Sequence, residues 1–429
     1  MADATDAKAP TQRRNALQSL EIDTRLLGMI GAFIVVALVF NVLTEGRFLT
    51  PRNIFNLTIQ TVSVAIMATG MVFVIVTRHI DLSVGSLLAT CSAVMAMLQT
   101  SWLVGEAMPL GSAALPWLAI VGGLVVGTLI GAFNGWLVGY LTIPAFIVTL
   151  GGLLVWRNVA WYLTTGQTIG PLDETFQAFG GISGTLGAQW SWIIGAVATV
   201  IALVGLFSAR RTKITHEFSV KPVWAEAVVA IVVVVGIMGF VWVLNSYDLP
   251  ERVLAREFQA AGQEMPEGYR EAYGLPISVL LLIAVAIVMT VVAQRTRFGR
   301  YIFATGGNPD AAELSGINTR LLTVKIFALM GFLCALSAVV ASARLTFHSN
   351  DIGTLDELRV IAAAVIGGTA LSGGIGTIYG AILGALIMQS LQSGMAMVGV
   401  DAPYQNIVVG SVLILAVYVD ILYRRKTGA

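Results

Sequence analysis

The 429-residue chain is poor in charge and in cysteine. Charged residues make up only 11% of it, hydrophobic residues make up 57%, and the mean hydropathy is +0.84. Such a chain cannot surround a soluble globule with polar surface, so the composition indicates a polytopic membrane protein. The two cysteines, Cys91 and Cys334, both lie inside apolar runs, which leaves neither a disulfide framework nor a cysteine metal cluster.

Motifs for catalysis and nucleotide binding are missing as well. No lysine follows a glycine, so there is no GxxxxGK[ST] phosphate-binding loop, and neither HExxH nor GxSxG occurs. The lysines are Lys8, Lys213, Lys221, Lys325 and Lys426. The sequence therefore predicts a protein that is not an enzyme and that holds no cofactor or metal of its own. The net charge of +1 gives no indication of a nucleic-acid partner, and none is predicted.

Apolar runs long enough to cross a bilayer follow one another along the chain. The first, residues 26–43, follows a polar tail of residues 1–24, and we interpret it as an uncleaved span because it is too long for a signal-peptide core. The others cover residues 54–77, 82–98, 116–140, 143–163, 190–208, 223–244, 276–293, 322–343, 360–371, 376–398 and 407–423. This predicts about twelve transmembrane segments within a domain of residues 25–423, of which 360–371 is too short to span unaided.

The distribution of basic residues predicts the orientation, because short cytoplasmic loops collect lysine and arginine. If the chain starts inside, its basic clusters at 210–221, 295–321 and 424–429 all fall in the cytoplasm. The stretch 165–189, which contains no lysine or arginine, then falls outside. Both termini are therefore predicted to be cytoplasmic.

The loop TRFGRYIFATGGNPDAAELSGINTR (296–320) carries the signature of one short capped helix. Asn308 suits the N-cap, Pro309 the first helical position, Asp310 the positive helix end and Gly316 the position just past the helix. A capped helix kept at the membrane surface can present itself to a partner. An ordinary surface loop is the alternative.

Small residues recur at helical spacing in two runs. The two stripes consist of Gly123, Gly127, Gly131, Gly135 and Gly139, and of Gly376, Gly380 and Gly384. Glycine at every fourth position lets a neighbouring backbone approach closely, which predicts tight helix contacts rather than a pore lining.

Two polar breaks interrupt the apolar pattern. The first, RHIDLSVGS (78–86), can hold an ion pair between Asp81 and Arg78 with Ser83 capping the next helix, or it can face a cavity. The second, LSGGIG (371–376), repeats a Leu-Ser-x-Gly turn after a short apolar run. The pair suggests an internal repeat of broken helices that converge on a central site.

Three stretches together resemble one protein family. They are FGRYIFATGGNPDAAELSGIN (298–318), RHIDLSVGS (78–86) and AAVIGGTALSGGIGTIYGAILGALI (363–387). They look like the membrane permease of bacterial ABC importers for monosaccharides, the family of ribose, xylose and multiple-sugar permeases. The similarity extends from about residue 51 to residue 420.

This resemblance implies an all-α fold similar to the cobalamin permease, located in the bacterial inner membrane and surrounded by lipid. It implies a pair of permease copies, a periplasmic sugar-binding protein, and a separate ATPase that binds the ATP. The implied coupling helix consists of Gly306, Gly307, Asn308, Pro309, Asp310, Ala311, Ala312, Glu313, Leu314, Ser315 and Gly316. We expect the translocation path to be lined partly by the broken segments, at Asp81, Ser83, Gly85, Ser86, Thr369, Ser372, Gly373 and Gly374.

Residues 184–274 look like an insertion with two extra spans, as in the longer permeases for xylose or several aldoses. A proton-coupled sugar symporter is the competing interpretation. It would need a membrane carboxylate that titrates during transport, for which Asp81 and Glu226 are the candidates. A receptor or scaffold without transport would leave the broken helices unexplained.

Overall fold

The computed structural model describes residues 24–427 except 107, 219 and 261. Within these residues the chain is helical, and its only β-pairing consists of isolated bridges. Residues 1–23 of the predicted N-terminal tail and residues 428–429 of the predicted C-terminal tail lie outside the described residues. The backbone of residues 424–427 continues the last helix.

Long apolar helices alternate with short connecting ones. The helices are α1 (Thr24–Leu43), α2 (Pro51–Val76), α3 (Val84–Met97), α4 (Leu115–Gly139), α5 (Ala145–Thr164), α6 (Glu174–Gln177), α7 (Gly187–Thr215), α8 (Val223–Asn245), α9 (Glu251–Ala260), α10 (Ile277–Arg295), α11 (Arg297–Gly307), α12 (Pro309–Leu314), α13 (Thr319–Leu345), α14 (Asp356–Ile366), α15 (Ile378–Met397) and α16 (Ala402–Thr427). A π-helical turn, Leu98–Trp102, extends α3.

Each apolar run predicted from the sequence lies on one of these helices, which confirms an all-helical fold. In the described part of the chain, 10 helices are long and apolar enough to cross a membrane, and α16 has a shorter apolar stretch, Ala402–Tyr418. The run 360–371 falls on α14, whose 11 residues extend only about 16 Å. A count of twelve full spans is therefore not confirmed.

The core of the bundle is formed by helices that are apolar all round. Every residue of α2 from 61 to 76 is buried, as is most of α3 and α13. The outer helices α1, α7 and α8 instead expose large aliphatic side chains, such as Val42 at 78% and Val235 at 64%. Exposed aliphatic faces of this kind suit contact with lipid.

The first glycine stripe forms a tight helix contact in the core, as predicted. A Cβ atom on Gly127 would lie 2.6 Å from the carbonyl oxygen of Gly331, and one on Gly135 would lie 2.7 Å from the Cα of Val324. Since real Cβ atoms do not approach so closely, α4 and α13 can pack this tightly only without side chains here. Gly384 of the second stripe packs in the same way on Ala363 of α14.

The bundle has two ends, which we name after one residue each. At the Arg78 end, Arg78 contacts Gly306 near the junction of α11 and α12. At the Thr346 end, the backbone N–H of Leu172 donates to the Thr346 carbonyl over 2.9 Å. The positive-charge pattern predicts that the Arg78 end is cytoplasmic, and this orientation stays a prediction.

Two chain segments re-enter the bundle from opposite ends. Residues 77–83 turn back from the Arg78 end without helical structure and lead into α3, and residues 346–355 run inward from the Thr346 end and lead into α14. They meet where Gly85 packs on Gly353, since a Cβ atom on Gly353 would lie 2.5 Å from the Gly85 carbonyl oxygen. The interior of the bundle thus contains irregular backbone surrounded by protein, where its polar groups can be satisfied.

Candidate functional site

A polar cleft of about 450 Å³ lies between α2, α13, α14 and α15. Its polar lining consists of Gln60, Ser63, Arg344, Asp351, Thr354, Asp356, Arg359, Gln389 and Gln392. An adjoining space of about 350 Å³ shares its three glutamines and adds Ser393 and Gln405. Polar side chains therefore converge on one face of a bundle that is otherwise apolar.

Helical spacing explains how α2 and α15 form one wall of this cleft. Gln60 and Ser63 are three residues apart on α2, and Gln389 and Gln392 are three apart on α15, so each pair lies on a single helix face. The two faces meet where Nε2 of Gln389 donates to Oε1 of Gln60 over 2.9 Å. Polar groups inside membrane spans are costly unless they face a partner or a water-filled cavity, and here the two amides pair with each other while the wall faces the open cleft.

The opposite wall is charged and is held in place by α5. Nη1 of Arg359 donates to Asp356 over 3.0 Å within the first turns of α14. Behind the cleft, the guanidinium of Arg157 donates to the carbonyls of Asn350 and Ile352 over 2.8 and 2.6 Å. Arg157 thereby fixes the segment 346–355 that carries Asp351 into the cleft.

This lining offers amides, carboxylates and guanidinium groups, which together donate and accept hydrogen bonds. Ligand pockets range from about 300 to 1,000 Å³, so the cleft has room for a small molecule. Its mixed donors and acceptors, with no single dominating charge, favour a neutral ligand that carries many hydroxyl groups.

A tightly packed layer closes the bundle at Val72, about 18 Å along α2 from Gln60. A Cβ atom on Gly376 would lie 2.8 Å from Cγ1 of Val72, 2.9 Å from Cγ2 of Val76 and 3.1 Å from Cγ2 of Thr369. Thr369 is fully buried, and its Oγ1 has no hydrogen-bond partner among the described residues. The layer leaves no space for a solute between α2 and the second break.

A junction at the Arg78 end joins this layer to α11. Arg78 has a φ of 63°, and its Nε and Nη2 donate to the carbonyls of Gly306 and Gly307 over 3.0 and 2.9 Å. The N–H of Gly374 donates to the carbonyl of Val76 over 3.0 Å. These hydrogen bonds connect four chain segments: the end of α2, residue 78, the end of α11 and the second break.

The residue at position 373 has to be glycine for the junction to close. Gly373 has a φ of 90°, which L side chains rarely adopt. A Cβ atom there would lie 2.6 Å from Cγ of Arg78 and 2.7 Å from the carbonyl oxygen of Gly306. The glycine-rich second break therefore makes the close approach to α11 possible.

The predicted caps of α12 are confirmed. Oδ1 of Asn308 accepts from the N–H of Ala311 over 3.0 Å, Pro309 starts the helix, and Gly316 follows it with a φ of 84°. One part of the prediction is wrong, because the loop contains two helices rather than one. Gly306 and Gly307 end the longer helix α11, which is capped by Thr296.

The two sides of α12 differ in exposure. Leu314 is 90% exposed, whereas Ala312 is buried against the bundle. Leu314 therefore points away from the bundle, and Ala312 points toward it.

The residues predicted to line the path fall into two separate groups. Asp81, Ser83 and Ser86 are buried between α3, α4 and α5, Gly85 packs on Gly353, and none of the four lines the polar cleft. Thr369, Ser372, Gly373 and Gly374 lie at the packed layer and the junction, beside Gly306 and Gly307. The transport roles of both groups stay predictions.

The ion pair between Arg78 and Asp81, one of the two interpretations of the first break, does not form. Oδ1 of Asp81 accepts from the N–H and the Oγ of Ser83 over 2.9 and 2.6 Å, and Arg78 points to α11 instead. Ser83 precedes α3 at the N-cap position, but its side chain makes no capping hydrogen bond, because its hydroxyl donates to Asp81. Nδ2 of Asn134 on α4 donates to the Oγ of Ser83 over 3.4 Å, so Asn134 contacts the residue that precedes α3.

The cleft glutamines and Arg78 were missed as site residues. Isolated glutamines in long apolar runs, at positions 60, 389 and 392, were the available signal, since polar groups in such runs usually face a cavity. Arg78 was noticed only as a partner for Asp81. Its contact with Gly306 spans 228 residues of sequence and leaves no local pattern.

An apolar helix bundle with a polar cleft at one face and an exposed helix at one end defines a membrane transport protein. A family described as "Branched-chain amino acid transport system / permease component" matches residues 53–417. The chain belongs to this permease family, and its predicted place among the sugar permeases of ABC importers is confirmed by the relatives below. No solved structure matches the chain.

Three curated relatives span nearly the whole chain. XylH, the xylose transport system permease protein of Escherichia coli K12, is 37% identical over 418 residues, covering 96% of this chain and 95% of its own length. RbsC, the ribose import permease protein of the same strain, is 32% identical over 395 residues, covering 91% and 92%. MglC, the galactose/methyl galactoside import permease protein of Salmonella typhimurium LT2, is 29% identical over 401 residues, covering 93% and 95%.

Membership in an ABC importer family implies partners that this chain does not supply. An ATPase subunit and a periplasmic binding protein complete such importers, and the permease lies in the inner membrane as a multi-pass protein. The homologues are transport permeases, which fits a chain that carries out no chemistry of its own.

Proposed function

We propose that this chain is the permease subunit of an ATP-driven importer that moves xylose or a related monosaccharide from the periplasm to the cytoplasm. The observation that carries the proposal is the polar cleft, whose size and mixed hydrogen-bonding groups suit a polyhydroxylated solute. The relatives named for xylose transport, which cover nearly the full chain at 37% identity, support the choice of sugar.

The cleft binds the sugar weakly, because high affinity belongs to the binding protein that delivers it. The cleft is open on one side in the single chain, and a face lined with glutamine and charged residues cannot stably face lipid. A second copy of the chain covers this face, and the translocation path runs between the two copies.

The broken segments control passage along this path. Thr369, Gly373 and Gly374 belong to the packed layer that closes the Arg78 end. Asp81, Ser83 and Ser86 hold the segment 77–83 and the start of α3 against α4 and α5, and Gly85 holds the start of α3 against Gly353. Opening of the layer would expose the unpartnered hydroxyl of Thr369 to water or solute, which favours the open state.

The Arg78 end is cytoplasmic, and residues 306–316 dock on the ATPase, which binds the ATP. Leu314 inserts into the ATPase surface, and movement of α12 pulls on Gly306 and Gly307 through the end of α11. Arg78 transmits this pull to α2 and to the second break. ATP energy thus reaches the sugar path as mechanical displacement.

Residues 184–274 form an insertion that adds α7, α8 and the external helix α9 to the transport core. The two added spans keep the predicted orientation of the rest of the chain, because a pair of spans returns to the side where it began. Both termini then lie in the cytoplasm.

Reconstitution separates this proposal from a proton-coupled symporter. Proteoliposomes that contain the permease, the ATPase and the binding protein should accumulate xylose only with ATP, and vanadate should abolish the accumulation. Permease-only vesicles should accumulate no sugar under a proton gradient. Uptake by the permease alone that collapses with a protonophore would instead establish the symporter.

The variant Gln392→Leu tests the cleft. Loss of one solute contact worth about 1.4 kcal/mol should lower the uptake rate at limiting sugar by about tenfold. Assembly with the ATPase and basal ATP hydrolysis should stay normal, because Gln392 lies far from α12. Gln294→Leu on the exposed face of α10 is the matched control and should transport normally. Equal uptake rates in the two variants would remove the cleft from the path.

A further inference from the structure

A second cavity, unrelated to the polar cleft, lies between α7 and α8 at the Arg78 end. It has a volume of about 490 Å³, and most of its wall is apolar. The apolar lining consists of Leu203, Leu206, Phe207, Ala209, Val223, Ala227, Val229 and Ala230. We call this cavity the hairpin groove. Phe207 is 69% exposed and Val223 is 70% exposed, so the groove opens toward the surroundings of the bundle.

One end of the hairpin groove has a basic rim. Arg210, Lys213 and Lys221 line it together with a single carboxylate, Glu226. The guanidinium of Arg210 pairs with Glu226 and also donates to the backbone carbonyl of Lys221 over 3.3 Å. These contacts join the end of α7 to the start of α8, and they hold Lys221 beside Arg210.

The charge balance of the rim favours an anion. The lining holds three cationic side chains and one carboxylate, which is a formal excess of positive charge. Lys213 and Lys221 both interact within the chain. An ammonium group has three donors, so such contacts and a contact to a phosphate oxygen can coexist.

The aromatic residues next to the rim place it at the level of lipid headgroups. Phe218 is 68% exposed and Trp224 is 49% exposed, and both lie close in sequence to Lys221. Exposed aromatic residues beside a span concentrate at membrane interfaces. The apolar wall of the groove therefore extends from the headgroup level into the hydrocarbon region.

We propose that the hairpin groove binds an anionic phospholipid. The phosphate lies at Lys213 and Lys221, and one acyl chain lies along Leu206, Phe207 and Val223. Basic pockets between transmembrane helices on the cytoplasmic side are suited to anionic headgroups. A free phosphate would gain nothing from the apolar wall.

Lipid binding to the purified full-length chain tests the proposal without any transport assay. Detergent-solubilised protein is titrated with phosphatidylglycerol or with phosphatidylcholine, and bound lipid is counted by native mass spectrometry. Phosphatidylglycerol should bind more tightly. The double variant Lys213→Gln with Lys221→Gln should weaken its binding by roughly ten- to thirtyfold, since each basic side chain contributes about fivefold.

The control is Arg295→Gln with Arg300→Gln, which removes two exposed charges at the same end and should leave lipid binding unchanged. Phe207→Ser should weaken binding of both lipids, because it removes part of the apolar wall. Glycerophosphoglycerol and inorganic phosphate, which lack acyl chains, should not displace the lipid. Displacement by either compound, or equal losses in the lysine and arginine variants, would overturn the proposal.

Discussion

Arg78→Ala should yield a permease that inserts and binds its ATPase but no longer couples ATP hydrolysis to sugar uptake. The side chain makes two hydrogen bonds to the carbonyls of Gly306 and Gly307, and no other described side chain joins α2 to the end of α11 by hydrogen bonds. Hydrogen bonds from charged donors contribute about 1.5–3 kcal/mol each, and the exposure of Arg78 favours the lower value. Loss of both, about 3 kcal/mol at this lower value, should reduce coupled uptake by roughly 150-fold.

Arg78→Lys should recover only part of this activity. A lysine ammonium is a point charge on a flexible stem and lacks the planar geometry with which the guanidinium reaches two adjacent carbonyls. Reconstituted uptake and ATPase stimulation by the loaded binding protein are measured together. The expected signature is ATP hydrolysis that continues while sugar uptake falls.

Arg300→Ala is the matched control, because Arg300 is an exposed arginine on α11 whose side chain makes no hydrogen bond to the described residues. It should transport like the wild type. If Arg78→Ala also transported normally, the junction would not carry the movement. If it lost the ATPase altogether, Arg78 would have a docking role rather than a transmitting one.

Local contacts explain what could be predicted from the sequence. The caps of α12 join residues three positions apart, so Asn308, Pro309 and Gly316 reveal the helix by their spacing. The glycine stripe on α4 is equally local and predicts close packing whatever the neighbour is. For both features, a short stretch of sequence contains all the chemistry that is needed.

The polar cleft could not be predicted in the same way. Gln60 and Gln389 are 329 residues apart, and only the packed bundle places their amides together. The partner of Arg78 could not be predicted either, because its proximity in sequence to Asp81 favoured an ion pair that does not form. The left-handed backbone at Arg78, with a φ of 63°, turns the chain there, and the guanidinium reaches α11. Arginine does not usually mark such a conformation, so no local signal was available.

Leu314→Asp should weaken binding of the ATPase more than any other single change on the surface of α12. Leu314 is 90% exposed in the permease, so the change should not affect folding. Burial of a leucine in a partner pocket contributes about 1.5–3 kcal/mol, and a carboxylate placed there would add a desolvation cost. We expect the affinity for the ATPase to fall by at least about 30-fold.

Leu110→Asp provides the same chemical change at another exposed leucine, which is 69% exposed in the loop before α4 and so lies at the Thr346 end. Titration of the labelled ATPase into permease-containing nanodiscs gives both dissociation constants. Only Leu314→Asp should raise the dissociation constant, and uptake should return when the ATPase concentration is increased, because the weakened contact still transmits force once it forms. An unchanged dissociation constant would exclude α12 as the docking element. Recovery of ATPase binding without recovery of uptake would show that Leu314 transmits the movement as well as docking.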